Sequence, residues 1–302
     1  MTSSSIPPGD RKPHWLRMRR AGGREYNRVQ RLLRTASLNT VCEEANCPNR
    51  GECFASGTAT FLLMGPSCTR HCTFCNIPGG RVGEVDPDEP LRVAETVRHL
   101  GLRFAVVTAV SRDDLPDGGA AHFAATIRSI RRLVPGCGVE VLIPDFRGDP
   151  LALETVLEAG PEVLNHNLET VPRLYPELRP QADYRMSLQL LRRVRQRVDA
   201  GGAPMVVKTG IMVGVGETAD EVVELMHAAA EHGVEVMTVG QYLQPSRRHH
   251  AVERFYEPGE FAELARRGRE AGLAWVEAGP LVRSSYHASE HRARIPGVRR
   301  TR

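Results

Sequence analysis

The sequence predicts an α/β fold built on a parallel sheet. Three observations predict it: six short apolar runs recur from Thr58 onward, stretches with apolar residues at helical spacing lie between them, and the two kinds alternate. The strand candidates are 60–64, 104–110, 138–143, 162–166, 206–213 and 236–241, each rich in Val, Ile, Leu or Phe. Crossover helices are expected at 89–100, 120–133, 151–158, 184–198 and 217–232, where charge occupies the face opposite the apolar stripe. A further apolar run, 273–278, follows a helix expected at 258–271 and predicts an edge strand or a seventh element. Right-handed crossovers curl such a series into a partial or complete barrel, or open it into a doubly wound sheet; the pattern allows both. In either arrangement ligands gather at the C-terminal ends of the strands. Cys68, Cys72, Cys75, Thr108 and the segments 165–169, 214–217 and 241–246 should therefore share one rim.

Before about residue 57 the chain is polar, Arg-rich and broken by Gly22, Gly23, Pro48 and Gly51, with a short helical stretch at 26–33. This reads as an extension wrapped on something larger. The expected division is an N-terminal extension at 1–57, a barrel at 58–245 and a C-terminal extension at 246–302.

At 41% hydrophobic and 25% charged residues, the 302-residue chain has the composition of a soluble globular protein. It has no apolar run of about 18 residues that would span a bilayer. The net charge of +4 comes with Arg clusters near both ends (Arg17, Arg19, Arg20; Arg292, Arg294, Arg299, Arg300, Arg302). Such clusters fit solvated tails or attraction to an acidic partner. With no aromatic and basic stripe, nothing calls for nucleic acid. Residues 1–10 lack the apolar core of a secretory signal, and Asp10 argues against a transit peptide, so a cytoplasmic, reducing setting is expected.

Seven cysteines in that setting read as ligands rather than disulfides. Six form two tight groups: Cys42, Cys47 and Cys53, spaced C-x4-C-x5-C, then Cys68, Cys72 and Cys75, spaced C-x3-C-x2-C. Cys137 stands alone in Pro135-Gly136-Cys137-Gly138 and is assigned no function. Three thiolates at the second spacing hold three irons of a 4Fe–4S cube and leave the fourth without a protein ligand. Zinc fits less well, because no fourth Cys or His completes either group. His71, between ligands, should point away.

The run Cys68-Thr-Arg-His-Cys72-Thr-Phe-Cys75 resembles the signature of the radical S-adenosylmethionine (SAM) superfamily. The resemblance implies that SAM fills the vacant iron with its amino and carboxylate groups and is cleaved to a 5′-deoxyadenosyl radical. The first triad, Cys42-Glu-Glu-Ala-Asn-Cys47-Pro-Asn-Arg-Gly-Glu-Cys53, resembles the auxiliary-cluster motif of lipoyl synthases. Further similarity lies in Thr58-Ala-Thr-Phe61, Arg112-Asp-Asp-Leu-Pro-Asp-Gly-Gly119, Asn165-His-Asn-Leu-Glu-Thr-Val-Pro-Arg-Leu-Tyr175, Gly240-Gln-Tyr-Leu-Gln-Pro-Ser-Arg-Arg248 and Arg283-Ser-Ser-Tyr-His-Ala288. Residues 12–288 are covered. Biotin synthase shares only the radical-cluster core of this pattern.

The resemblance implies a partial (β/α)6 TIM-like barrel with N- and C-terminal extensions, holding two 4Fe–4S clusters and SAM. It implies insertion of sulfur at C6 and C8 of a protein-bound octanoyl chain. No side chain is needed as a general acid or base, since the cofactors carry the chemistry. Ser285 is implied as fourth ligand of the auxiliary cluster, with Ser284 the alternative; a seryl oxygen is a hard, weakly held partner for iron, suited to a cluster that is dismantled as it gives up sulfur. Asn167 and Glu169 are similar to the family's ribose-binding pair. Thr108 and the Gly214-Val-Gly-Glu217 loop are placed at the SAM site, with Glu217 as a contact. Arg179 is left between binding the methionine carboxylate and pairing with a surface acid. Ser111 stands where many relatives carry Asp. Implied partners are octanoylated lipoyl carrier domains (2-oxoacid dehydrogenase E2 or glycine cleavage H protein), reduced ferredoxin or flavodoxin as electron donor, and a cluster-repair protein, with no nucleic acid or membrane.

Overall fold

All six expected runs become parallel strands in a computed structural model that describes residues 12–18 and 21–291. They are β2 (Thr60–Leu63), β3 (Phe104–Ala109), β4 (Gly138–Leu142), β5 (Val163–Asn165), β6 (Val206–Val213) and β7 (Val236–Gln241). The run at 273–278 becomes a seventh parallel strand, β8 (Trp275–Gly279), paired in register from Val236↔Trp275 to Gly240↔Gly279. Strand order follows chain order, the pattern of successive right-handed crossovers. Residues 39–40 add a short antiparallel strand, β1 (Asn39–Thr40), on the β2 edge. The sheet is thus one strand longer at each end than the six expected.

The crossover helices span Glu89–Leu100, Ala120–Leu133, Pro150–Glu158, Tyr184–Asp199 and Ala219–Glu231, followed by Pro258–Glu270. Local chemistry explains their starts. Asp149 and Asp183 accept from backbone amides at their helix N-termini, and Thr218 with Glu221 forms a reciprocal capping box.

Inward-facing side chains alternate along each strand and form layers. At the N-terminal end Val163, Val206 and Val236 pack together with Phe104 and Trp275 as an apolar plug. One layer up, Lys208 of β6 and Glu140 of β4 form a fully buried ion pair at 2.7 Å. Above that, Gly210 and Gly240 line a cavity, and their missing side chains let Asn167, Ser284 and the Val282 carbonyl pack close.

The N-terminal extension packs on this frame through the helix Arg24–Thr35, whose Tyr26, Val29 and Leu33 are buried at helical spacing. Tyr26 meets Phe54 with ring centroids 5.3 Å apart. Among the described residues no helix is long and apolar enough to cross a membrane. Residues 1–10 and the Arg residues 19, 20, 292, 294, 299, 300 and 302 lie outside the described residues.

Candidate radical and sulfur-donor site

A cavity of about 640 Å³ opens at the C-terminal ends of the strands. Cys42, Cys47, Cys68, Cys72 and Cys75 line it, as do Thr108, Asn167, Glu169, Arg179, Ser284 and Ser285. Cys53 stands just behind, near enough to Cys42 and Cys47 for the thiols to raise one another's pKa. Glu217 is not on the cavity wall. Its carboxylate accepts from the Gly214 and Val215 amides at 2.7 and 2.9 Å and so staples the Gly-rich loop.

The loop bearing Cys68, Cys72 and Cys75 is held at both ends. Cys68 N–H donates to Pro78 O, and Gly80 N–H returns to Cys68 O, both at 2.9 Å. Between the first two cysteines, Arg70 reaches under the loop and pairs with two carboxylates from neighbouring strand ends. It donates to Asp113 at 2.7 and 2.9 Å and to Asp145 twice at 2.6 Å. Arg70 and Asp145 are buried, where bidentate charge-assisted bonds are strong and directional. His71 is exposed, as expected. Ser111 contributes its carbonyl, which accepts from Thr69 N–H and Oγ1.

The auxiliary triad sits on two short helices, Val41–Glu44 and Arg50–Ala55, with Cys47 in the turn between. Asn76, just after the radical triad, donates to Glu44 O at 2.8 Å, and Asn49 donates to Leu281 O at 2.7 Å. The extension is thereby tied both to the barrel loop and to the C-terminal segment.

Burial pushes the Cys42 and Cys75 thiols up to about 12 and Cys53 to about 11, and it raises Cys47 and Cys72 as well. The Arg283 guanidinium partly offsets the effect at Cys47. Thiols so reluctant to ionise in a protein environment are ionised by a coordinating cation. All seven cysteines are free. Among the described residues no three Cys, His, Asp or Glu groups converge on a single metal ion. A 4Fe–4S cube takes one thiolate per iron, so each compact triad fits it.

The two serines separate cleanly. Ser285 Oγ accepts from Thr60 Oγ1 at 2.9 Å, and the Thr60 backbone reaches the Cys42 thiol. Ser284 Oγ accepts from Asn167 Nδ2 at 2.8 Å. Ser285 therefore faces the auxiliary triad and Ser284 the Asn167–Glu169 pair. Glu169 adopts a left-handed backbone at φ 66°, fixed by its N–H to Gly210 O and by Met212 N–H to its own carbonyl. Burial raises its pKa, against the pull of Arg179 and Asn167.

Arg179 makes no ion pair among the described residues, and the Glu169 carboxylate acts on it only at longer range. The surface-acid alternative is thus not what the fold builds. Its Nη1 donates to Asn167 O and the Tyr175 hydroxyl, both at 3.1 Å, and its buried Nε has no partner. Asn167 Oδ1 is likewise buried without a partner. An unpaired guanidinium and an orphaned amide oxygen on one wall suit a ligand carrying both carboxylate and hydroxyl groups, as SAM does. Thr108 donates its hydroxyl to Leu142 O at 2.8 Å and lines the wall.

Arg70 and Thr60 stand inside quoted motifs but were given no role, and the Glu140–Lys208 pair escaped the motif reading altogether. For the pair a signal was present: a charge inside an otherwise apolar strand must find a partner.

Residues 62–229 match the model of the radical SAM superfamily. The fold agrees: Streptococcus suis SuiB bound to S-adenosylmethionine superposes with a TM-score of 0.56 at 14% identity, covering 84% of this chain and 61% of that one. The chain is a radical SAM protein.

Closer relatives narrow the family. Lipoyl synthase of Methylococcus capsulatus is 54% identical over 293 residues, covering 96% of this chain and 90% of that protein. Lipoyl synthase of Rubrobacter xylanophilus is 53% identical over 279 residues, covering 92% and 86%. The chain belongs to the lipoyl synthase family.

Proposed function

We propose that the protein inserts two sulfur atoms, at C6 and C8, into an octanoyl chain carried on a lysine of a lipoyl carrier domain, drawing the sulfur from a second 4Fe–4S cluster. The observation that carries this reading is the meeting of two cysteine groups at one cavity, with Cys42, Cys47, Cys68, Cys72 and Cys75 on a common wall. When bound, SAM and the radical cluster supply a primary radical able to take hydrogen from unactivated carbon, and the auxiliary cluster supplies sulfide.

The protein's own part is positional. Cys68, Cys72 and Cys75 hold the radical cluster on a loop fixed by Arg70. The free Asn167 oxygen and the Glu169 carboxylate would accept from ribose hydroxyls, Arg179 would meet the methionine carboxylate, and Thr108 would line the wall. Glu217 holds the Gly-rich loop in shape from behind. Cys42, Cys47 and Cys53 would hold the auxiliary cluster, and Ser285 would complete it with an oxygen, a weaker partner for iron than thiolate.

Three segments divide this labour. Residues 1–57 bring the auxiliary thiols, 58–245 the radical core, and 246–302 the seryl ligand, while β8 of that last segment extends the sheet. Partners of the expected chemistry are the E2 or H carrier domains, reduced ferredoxin or flavodoxin, and a protein that rebuilds the auxiliary cluster. Free thiols throughout favour a reducing, cytoplasmic setting.

The test is separation of the two activities. Replacing Cys42, Cys47 and Cys53 with Ala should halve the iron from about eight to about four per chain and preserve 5′-deoxyadenosine formation, yet abolish lipoyl product. Replacing Cys68, Cys72 and Cys75 should abolish both activities. Lipoyl product from protein with only the radical cluster would overturn the reading.

A further inference from the structure

Ser284 and Ser285 are adjacent in the chain, yet their hydroxyls belong to different sites. Ser284 Oγ accepts from Asn167 Nδ2 at 2.8 Å, and the same amide nitrogen donates to Glu169 Oε1 at 3.0 Å. Ser285 Oγ accepts from Thr60 Oγ1 at 2.9 Å, on the side of Cys42. One peptide bond joins the two.

The packing leaves no slack. A Cβ at Gly210 would lie 2.9 Å from Asn167 Oδ1 and 3.2 Å from Ser284 Oγ, so β6, Asn167 and Ser284 are in close contact. Both Asn167 N–H donors are engaged within the protein, while its oxygen is buried and unpaired. A ribose hydroxyl can donate to the unpaired Asn167 oxygen, and one that also accepts from Nδ2 competes with Ser284 Oγ for that donor.

We propose that Ser284 is a positioning residue that makes the hold of Ser285 on the auxiliary cluster depend on SAM occupancy. This rests on the function proposed above and on the ligand role of Ser285. Binding at Asn167 draws the amide away from Ser284, and release of that anchor loosens the seryl oxygen one residue on. The weak iron ligand then becomes labile only when the radical source is in place. By linkage the effect is reciprocal: freeing Ser285 from the cluster must strengthen SAM binding by the same factor.

Equilibrium dialysis of SAM against anaerobic protein without reductant tests this, with iron counted in every sample. Ser285→Ala should lower the SAM dissociation constant at least about fivefold, the small end of ordinary coupling. Ser284→Ala should lower it similarly, and in the Ser284→Ala background the further change Ser285→Ala should have no effect. Ser284→Thr, which keeps the acceptor, should restore the wild-type value and shows that folding is not the cause. Mössbauer spectra give a second readout: adding SAM should alter the unique auxiliary iron in wild type and leave it unchanged in Ser284→Ala. Equal dissociation constants in wild type, both single Ala variants and the double Ala variant at full iron content would overturn the coupling. So would a Ser285→Ala effect that survives Ser284→Ala. Failure of wild type to bind SAM, or an iron content of about four, would instead strike the functional reading beneath it.

Discussion

An oxygen ligand among thiolates is the weakest point of an iron site, and the function proposed above gives that role to Ser285. Ser285→Cys should assemble the auxiliary cluster at full iron content and still allow 5′-deoxyadenosine formation, while lipoyl product falls at least about tenfold, or about 1.4 kcal/mol in the barrier. Product at the wild-type rate would refute the labile-ligand argument. Arg70 shows a different dependence, because its cation is buried between Asp113 and Asp145. Arg70→Gln leaves the Asp145 carboxylate uncompensated and should cost about 3 kcal/mol in chemical denaturation, with selective loss of radical-cluster iron. His166 adds a pH dependence. Burial first, then the Arg179 charge, lowers its pKa from 6.5 to about 4, and its Nδ1 contacts Ile143 O at 2.9 Å. Folded and unfolded chains are both neutral at this group above pH 6.5, so the stability is fully present there. Below that the unfolded chain takes the proton first, and stability drains away until about pH 4, by roughly 3 kcal/mol in all. His166→Gln should lack that component, so the stability gap between wild type and variant should narrow by about this amount between pH 7 and pH 4. A gap that stays constant with pH would remove His166 from the account.

Elements set how closely these residues approach. On β7, a Cβ at Gly240 would stand 2.1 Å from Val282 O, so the segment carrying both serines lies directly on the strand backbone. Gly240→Ala should push that segment outward and cost about 1–3 kcal/mol. Auxiliary iron should drop while SAM cleavage persists; a variant with both clusters intact would show that the contact yields without consequence. Helices were legible in the sequence nearly to the residue, as at Glu89–Leu100 and Ala120–Leu133, because an apolar stripe over three or more turns is a strong periodic signal. β1 was not, since two residues cannot display an alternation. The left-handed run Phe146, Arg147 and Gly148, which brings Asp145 to Arg70, was equally silent: two of the three are residues that rarely adopt that backbone.

Across the whole molecule, the barrel interior grades from an apolar plug through a buried ion pair to an open cavity. Glu140 and Lys208 join β4 and β6 across β5, where Asn165 lies 3.5 Å from the Glu140 carboxylate. Burial raises the Glu140 pKa and lowers that of Lys208, with each partner opposing the shift of the other. Lys208→Met alone should destabilise by about 3–5 kcal/mol, and adding Glu140→Leu should recover most of the loss, as measured by urea unfolding. If the double variant were no more stable than the single one, the pair would be holding more than its own charge.

The order of βα units, the two cysteine spacings and the serine dipeptide are properties of neighbours along the chain. They were readable from the sequence because covalent spacing and periodicity survive without a fold. The contacts that give those residues distinct roles join positions far apart: Thr60 with Ser285, Asn167 with Ser284, Arg70 with Asp145. Motif reading preferred Ser285 only through a resemblance, with Ser284 kept as the alternative, and it left Arg179 between two partners. Which hydroxyl faces which site, and which charge stays unpaired, is set when the sheet curves and the two extensions close on one rim. No local pattern records the distances that this closure creates.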